Sequence, residues 1–412
     1  MKILIVNFSD KKGGASRAAK RLHDSLLGEK VNSTMFVLDK NGTENNIVTP
    51  KNFIRKITAK VQKVLNPFPL RNVHLVSPFS ASFSPSFNIV KYINQQNADV
   101  VHLHWINAGM LRIEDLSKIK APIIWTLHDM WPFTGGCHYA DSCKRYTESC
   151  GNCPILNSDV QNDLSKQIFN RKKIVFNNIS SLTIVGLSKW LQNSAKASSL
   201  FKNRTVVNLP NPIDTNAYKP SDKNEAREFL GLSKGKKYIL FGAMDATSDN
   251  RKGFDKLIKA LSFLEIEDLE LLVFGSNKPK DSQNFGFVTH YFGEISDDKN
   301  LNKIYNAADV MIVPSLQENL SNVIMESLSC GTPVVAFNVG GNSDMIYHKK
   351  NGYLAKALDP NDLALGIEWV IKNNTKNYLG ELARLKVLEN FDSKTVAKKY
   401  LQLYSDAIEQ SN

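Results

Sequence analysis

Two carboxylates, Glu318 and Glu326, stand with seven residues between them, flanked by the apolar runs at residues 309–314 and 333–337. Glu318 falls on a loop, where it can accept sugar hydroxyls. Glu326 falls about a turn into the following helix, where it can accept both hydroxyls of a ribose. The stretch Gln317 to Ser321, with Asn319, Leu320 and Ser321, enters that helix. Unpaired N–H groups and the helix dipole make such a start suitable for a phosphate. Acceptors for a polyol beside a phosphate-binding turn imply a sugar-nucleotide pocket. Cations come from Arg251 and Lys252, next to Gly253. They suit a leaving group that gains negative charge in the transition state, and a purely solvated role is disfavoured because cations at a helix start oppose the dipole. Near the beginning, Gly13 and Gly14 let the backbone approach a phosphate or sugar closely. Asp39 follows the second strand, as in a dinucleotide-binding domain, but Gly-Gly is not Gly-x-Gly-x-x-Gly, so that fingerprint fails.

Histidines 102, 104 and 128 lie at or beyond the ends of apolar runs. His102 and His104 share a strand face by the two-residue period and read as structural, whereas His128 stands where loops build sites. Four of the five cysteines are clustered, Cys137, Cys143, Cys150 and Cys153. The Cys-x2-Cys half bites zinc naturally, the other pair is more loosely spaced, and His138 could replace one thiol. The cluster is either a structural zinc site or four reduced thiols on a loop. No Asp-x-Asp occurs, so a metal-bridged diphosphate lacks its usual ligand pair.

These residues need rigid elements behind them. Apolar runs at 2–8, 34–38, 100–103, 123–126 and 182–186, with a helix at 15–27, predict a doubly wound parallel sheet. A second set, with strands at 238–242 and 269–275 and a helix at 253–264, leads into the two-carboxylate unit. Ser321 is the expected cap of that unit's helix, and Gly331 with Pro333 its stop. The Pro- and Asn-rich stretch at 209–220 breaks both helix and strand and reads as the connection. A final helix over 393–409 carries a broad apolar face, with Val396, Ala397, Tyr400, Leu401, Leu403, Tyr404 and Ile408.

Glu318-x7-Glu326 resembles the Glu-x7-Glu motif of the retaining glycosyltransferases of family 4, the group-1 glycosyl transferases that build bacterial surface polysaccharides. Around it stand Phe292-Gly-Glu294, Leu301 to Asp309, Gly340-Gly341-Asn-Ser-Asp344 and Asn351-Gly-Tyr-Leu354, in the family's order. The resemblance implies an α/β chain of the GT-B architecture, two facing Rossmann-like domains with an inter-domain cleft. Residues 1–209 would form the acceptor-side domain, 210–390 the nucleotide-sugar domain, and 391–412 a helix crossing back to the first. It also implies His128, Lys252 and Glu318 as catalytic residues, and Gly13, Gly14, Arg251, Asn319, Leu320, Ser321 and Glu326 as substrate-binding. Gly242 is followed by Ala243 where the family often has arginine, and Arg251 is the residue that can take that role. The implied reaction moves a hexosyl unit from a UDP- or GDP-sugar to a hydroxyl of a lipid-linked glycan, with retention and without a catalytic metal. An epimerase of the same architecture, or a silent sugar-nucleotide sensor, are the alternatives.

Length and charge agree with this. At 412 residues the chain holds two domains, and 42% hydrophobic with 22% charged residues is a globular composition. No apolar stretch approaches the roughly 18 to 20 residues of a membrane helix, and the start reads as a first strand, not a signal peptide. The reading is a cytoplasmic protein, peripheral on the inner face of the membrane. A net charge of +12 favours anionic partners, of which nucleic acid is the weakest because no finger, zipper or RNP-type motif occurs. Residues 52–65 place Arg55, Lys56, Lys60 and Lys63 among apolar residues at helical spacing. Such a helix either lies on an anionic bilayer or packs its stripe on the sheet. Phe79, Phe83 and Phe87, amid Ser and Pro, are expected to set acceptor specificity.

Overall fold

The computed structural model describes the chain except residues 51–67, 72–74, 76, 84–88, 243–248, 277–285, 296 and 412. The basic stretch at 52–65, Phe87 and Ala243 therefore lie outside the described residues. The chain forms two compact units, Met1–Asn211 with Val396–Asn412, and Pro212–Thr395.

In the first unit seven parallel strands, β1 (Lys2–Ser9), β2 (Asn32–Asp39), β3 (Ile47–Val48), β4 (Val100–Leu103), β5 (Ile123–Leu127), β6 (Leu182–Gly186) and β7 (Thr205–Asn208), stand in the order β3-β2-β1-β4-β5-β6-β7. Every residue of β4, β5 and β6 is buried, which is why these strands read as mostly apolar runs, broken only by His102, Thr126 and Thr183. The two-residue period splits β1 between two cores, with Leu4 and Val6 on one face and Ile3 and Ile5 on the other.

The second unit repeats the plan with β8 (Lys237–Gly242), β9 (Leu269–Phe274), β10 (Val288–Tyr291), β11 (Val310–Val313), β12 (Val334–Phe337) and β13 (Gly352–Ala355), ordered β10-β9-β8-β11-β12-β13. Both sheets change winding direction once, between β1 and β4 and between β8 and β11. Loops leaving the carboxyl ends there form a crevice where ligands bind in folds of this kind. The apolar-run reading misses β3, β7, β10 and β13. They are short, and β10 and most of β7 lie partly in solvent, so no long apolar run marks them.

The helices that matter for the sites are α1 (Gly14–Gly28), α2 (Leu164–Asn177), α3 (Phe254–Leu261), α4 (Asp298–Ala307), α5 (Asn322–Ser329) and α6 (Ser393–Glu409). Helix α3 is shorter than its apolar spacing predicts. Gly253 sits in the left-handed region (φ 70°) ahead of it, and Asn250–Lys252 form a separate 3-10 turn capped by the Asp249 carboxylate. From Val396 onward α6 packs in the first unit, burying Val396, Ala397, Tyr400, Tyr404 and Ala407 against Ile3, Ile5, Ile124 and Val185. Each large apolar side chain so buried contributes roughly 1.5–3 kcal/mol. No helix among the described residues is long and apolar enough to cross a membrane.

Candidate functional site

In the second unit three loops close around Glu318, and two glycines make the closure possible. A Cβ on Gly253 would stand 1.9 Å from the Pro314 carbonyl oxygen, so only glycine lets the turn after β8 dock on the loop after β11. The Leu316 N–H then donates to the Arg251 carbonyl at 2.8 Å. Gly340, after β12, has φ 52°, and a Cβ there would meet the Glu318 carbonyl oxygen at 1.6 Å.

Docked this way, Lys252 Nζ lies 3.1 Å from Glu318 Oε2. The Asn319 N–H donates to Glu318 Oε1 at 3.3 Å. Both partners keep partial access to solvent, 25% for the lysine side chain and 13% for the glutamate. An oriented carboxylate and a reachable ammonium thus share the β8–β11 crossing point. Two buried acceptors nearby, Gln317 Oε1 and Asn342 Oδ1, have no hydrogen-bond partner among the described residues. Such deficits are uncommon, and a ligand rich in hydroxyls would fill them.

The other residues of this unit divide. Arg251 does not stand beside Lys252. Its guanidinium folds back on Asp249, with Nη2 at 2.7 Å and Nε at 3.2 Å from the carboxylate. Burial pushes Asp249 upward, but the bonds from Arg251 outweigh it and hold the carboxyl below its ordinary range. Asn319, Leu320 and Ser321 are all buried. Ser321 occupies the cap position of α5, yet its hydroxyl makes no capping bond, contrary to the sequence expectation. Glu326 lies one turn into α5 as expected and is fully buried. Its Oε2 accepts from the Tyr305 hydroxyl of α4 at 2.8 Å, so one carboxylate oxygen is already engaged. Burial and that carboxylate raise the Tyr305 phenol well above its usual range, which keeps it a donor. Sequence reasoning quoted the segment containing Tyr305 but gave it no role; its spacing from Glu326 carries no local signal.

In the first unit Gly13 precedes α1 with φ 89°, and the space a Cβ would take there is open. Gly14 is the first residue of α1. Asp39, the acid a dinucleotide site would need, pairs with Lys12 at 2.9 Å. His128 follows β5, and its Nε2 lies 2.9 Å from His104 Nδ1. His104, which the two-residue period reads as structural, touches His128 directly, and its own Nε2 is buried without a partner among the described residues. His102 stands beside it, ring centroids 4.4 Å apart, and bonds to Tyr404 of α6 and Thr126, both at 2.7 Å. Burial pushes all three imidazoles down, His102 to about 3, His128 to about 4 and His104 well below its usual value, so all are neutral at physiological pH. Of the aromatics assigned to acceptor binding, Phe79 is buried over Gly136, and Phe83 lies under the Arg171 guanidinium, 4.2 Å from its ring centre.

Cys137, Cys143, Cys150 and Cys153 line one small cavity in this unit, and all are free thiols. His138 is not available to replace a thiol. Its Nδ1 bonds to Asp129 at 2.7 Å and its Nε2 to Ser80 at 2.8 Å. As the side chains stand, no group of three His, Cys, Asp or Glu among the described residues forms a metal-holding set.

Residues 222–386 match the family model described as glycosyl transferases group 1, and residues 12–216 match that of glycosyltransferase family 4. The chain is built from two glycosyltransferase domains. An uncharacterized glycosyltransferase of Methanocaldococcus jannaschii is 26% identical over 373 residues, 82% of this chain and 92% of that one. Escherichia coli WcaC, provisionally assigned as a colanic acid biosynthesis glycosyl transferase, is 27% identical, covering 82% of this chain and 83% of its own. Among solved structures, sucrose-phosphate synthase of Thermosynechococcus elongatus superposes with a TM-score of 0.70 at 18% identity over 99% of both chains. Anabaena HepE, in complex with UDP-glucose, gives 0.66 at 17% identity over 98% of this chain and 100% of that one. These structures share the GT-B fold of two Rossmann-like domains with this glycosyltransferase.

Proposed function

We propose that the chain is a retaining hexosyltransferase. It takes a hexosyl unit from a UDP- or GDP-sugar and attaches it to a hydroxyl of a lipid-linked glycan in bacterial surface-polysaccharide synthesis, at the inner face of the cytoplasmic membrane. The observation that carries this reading is the Lys252–Glu318 pair, 3.1 Å apart at the β8–β11 crossing point of a glycosyltransferase domain. Lys252 meets the departing phosphate, where an ammonium in a partly dehydrated site stabilises developing charge without reorganising. Glu318 holds sugar hydroxyls, and Glu326, fixed by Tyr305, lines the nucleotide end. Gly13, Gly14 and a neutral His128 serve the transferred sugar and the incoming hydroxyl. Arg251 acts after release from Asp249, and no metal takes part. Supporting the donor class, HepE is solved in complex with UDP-glucose; supporting the pathway, WcaC is provisionally assigned to colanic acid biosynthesis. The +12 net charge favours anionic donors and an anionic lipid surface.

The test is thermal stabilisation by UDP-, GDP- and ADP-sugars, native chain against Lys252→Ala. A donor at a hundred times its Kd adds about 2.7 kcal/mol of stability. One donor class stabilising the native chain and not the variant supports the reading; equal stabilisation of both moves the site elsewhere. Conversion of the donor without acceptor would indicate an epimerase, and tight binding with no turnover a sensor.

A further inference from the structure

The proposed transfer assigns no role to the cysteine cavity, and its construction is specific. The sulfur-bearing residues are spread over seventeen positions, yet all four line one space of about 20 Å³, room for a single small ion or water. Three successive residues of the Cys-x2-Cys turn, Cys150 (φ 54°), Gly151 (φ 100°) and Asn152 (φ 43°), occupy the left-handed region. A Cβ on Gly151 would stand 2.3 Å from the Gln161 carbonyl oxygen. The Arg145 guanidinium ties this turn down by donating to the Gly151 carbonyl at 2.9 Å.

Donors face the sulfurs. The Gly135 N–H lies by Cys150 and the N–H groups of Ile155 and Leu156 by Cys153, whereas the Thr134 hydroxyl donates to the Cys137 carbonyl and the Ser165 hydroxyl to Asp163. Donors directed at sulfur are the outer layer that supports metal-bound thiolates. A second, independent feature is Lys172 of α2. It is fully buried, with its ammonium on the Trp131 and Thr134 carbonyl oxygens and 3.7 Å from the centre of the Trp131 ring. Cys137, Cys150 and Asp129 are the groups whose negative charge would favour that ammonium. Burial pulls the Lys172 amine down to about 7, so it is partly neutral at physiological pH and anions beside it would hold its proton.

We infer that Cys137, Cys143, Cys150 and Cys153 bind one structural zinc ion that fixes the segment between β5 and α2. Each thiol gives its proton to solvent on binding. The resulting zinc tetrathiolate carries two net negative charges, offset in part by protonated Lys172 and the nearby backbone N–H groups. Because no three side chains among the described residues stand as a metal-holding set, zinc binding includes a rotation of the thiols about their Cα–Cβ bonds into the cavity, to zinc–sulfur distances of roughly 2.3 Å. His138 stays with Asp129 and Ser80 and is not a ligand. The segment starts directly after His128 and Asp129, so zinc would steady that side of the first unit.

Elemental analysis of the full chain, purified without chelator from zinc-supplemented medium, should find one zinc per chain. A mercurial should release it in step with thiol titration. Cobalt(II) exchanged into the native chain should show sulfur-to-metal charge-transfer bands and the strong visible absorption of a tetrahedral site. Cys150→Ser and Cys153→Ser should lose most of the metal, and Cys330→Ser, whose thiol lies in the second unit, should keep all of it. Should the first two variants not fold, the cobalt spectrum of the native chain still decides. Four freely reactive thiols with no metal, or bound iron with a tetrathiolate iron spectrum, would overturn the zinc assignment.

Discussion

The two units place opposite kinds of chemistry at the ends of similar sheets. In the second, the carboxyl ends of β8 and β11 hold charges, Lys252 with Glu318 and Arg251 with Asp249. In the first, β4 and β5 carry three imidazoles that burial keeps neutral. The difference follows the proposed reaction. A departing nucleotide needs fixed cations, whereas a sugar and an incoming hydroxyl need neutral groups that donate or accept.

Removing the charges should therefore cost most. Lys252→Ala and Glu318→Gln are each expected to lower the transfer rate by about 10²–10³, the usual loss for a charge-stabilising group, with an unchanged circular dichroism spectrum. Near-native rates in either would break the assignment. His128→Ala removes hydrogen bonding and no charge, so about 1–3 kcal/mol of barrier is expected, roughly 5- to 150-fold in rate. A loss exceeding that of Lys252→Ala would reverse the comparison.

Acid should attack the first unit more than the second. An imidazole held at about 4 in His128 and about 3 in His102 is neutral when folded, while the unfolded chain takes up protons below about 6.5. The stabilisation is complete above pH 6.5 and is lost progressively as pH falls toward 4, on the order of 1–3 kcal/mol. Urea titrations at pH 7 and pH 5 should show the loss; a flat profile would mean that water reaches these rings. Tyr404→Phe leaves His102 Nδ1 without its partner at 2.7 Å and should cost about 1–2 kcal/mol in the same titration. The smallest effect is expected for Arg251→Ala, under about tenfold, the equivalent of 1.4 kcal/mol, because Asp249 already holds the guanidinium. A loss as large as that of Lys252→Ala would show that Arg251 swings to the substrate.

Legibility varied with range. The mostly apolar runs of β4, β5, β6, β11 and β12 announce buried parallel strands, and the period-two spacing of His102 and His104 puts both on one face. The half-exposed β10 and the two-residue β3 gave no such signal. Ser321 sat at its predicted cap position without capping, since a hydroxyl's partner depends on how the loop turns. His138 looked like a spare metal ligand until Asp129 and Ser80 took both its nitrogens.

The sequence by itself determined two doubly wound sheets, the positions of the loops that carry Gly13–Gly14, Lys252 and Glu318, and a last helix with a buried face. Those properties depend on local period, turn residues and spacing, all written along the chain. Tertiary structure decided that Lys252 and not Arg251 reaches Glu318, that Tyr305 fixes Glu326, and that His104 meets His128. Each of those contacts joins residues twenty or more positions apart, except for Arg251 with Asp249. A distant partner is set by how strands stack and loops dock, and no local pattern encodes it.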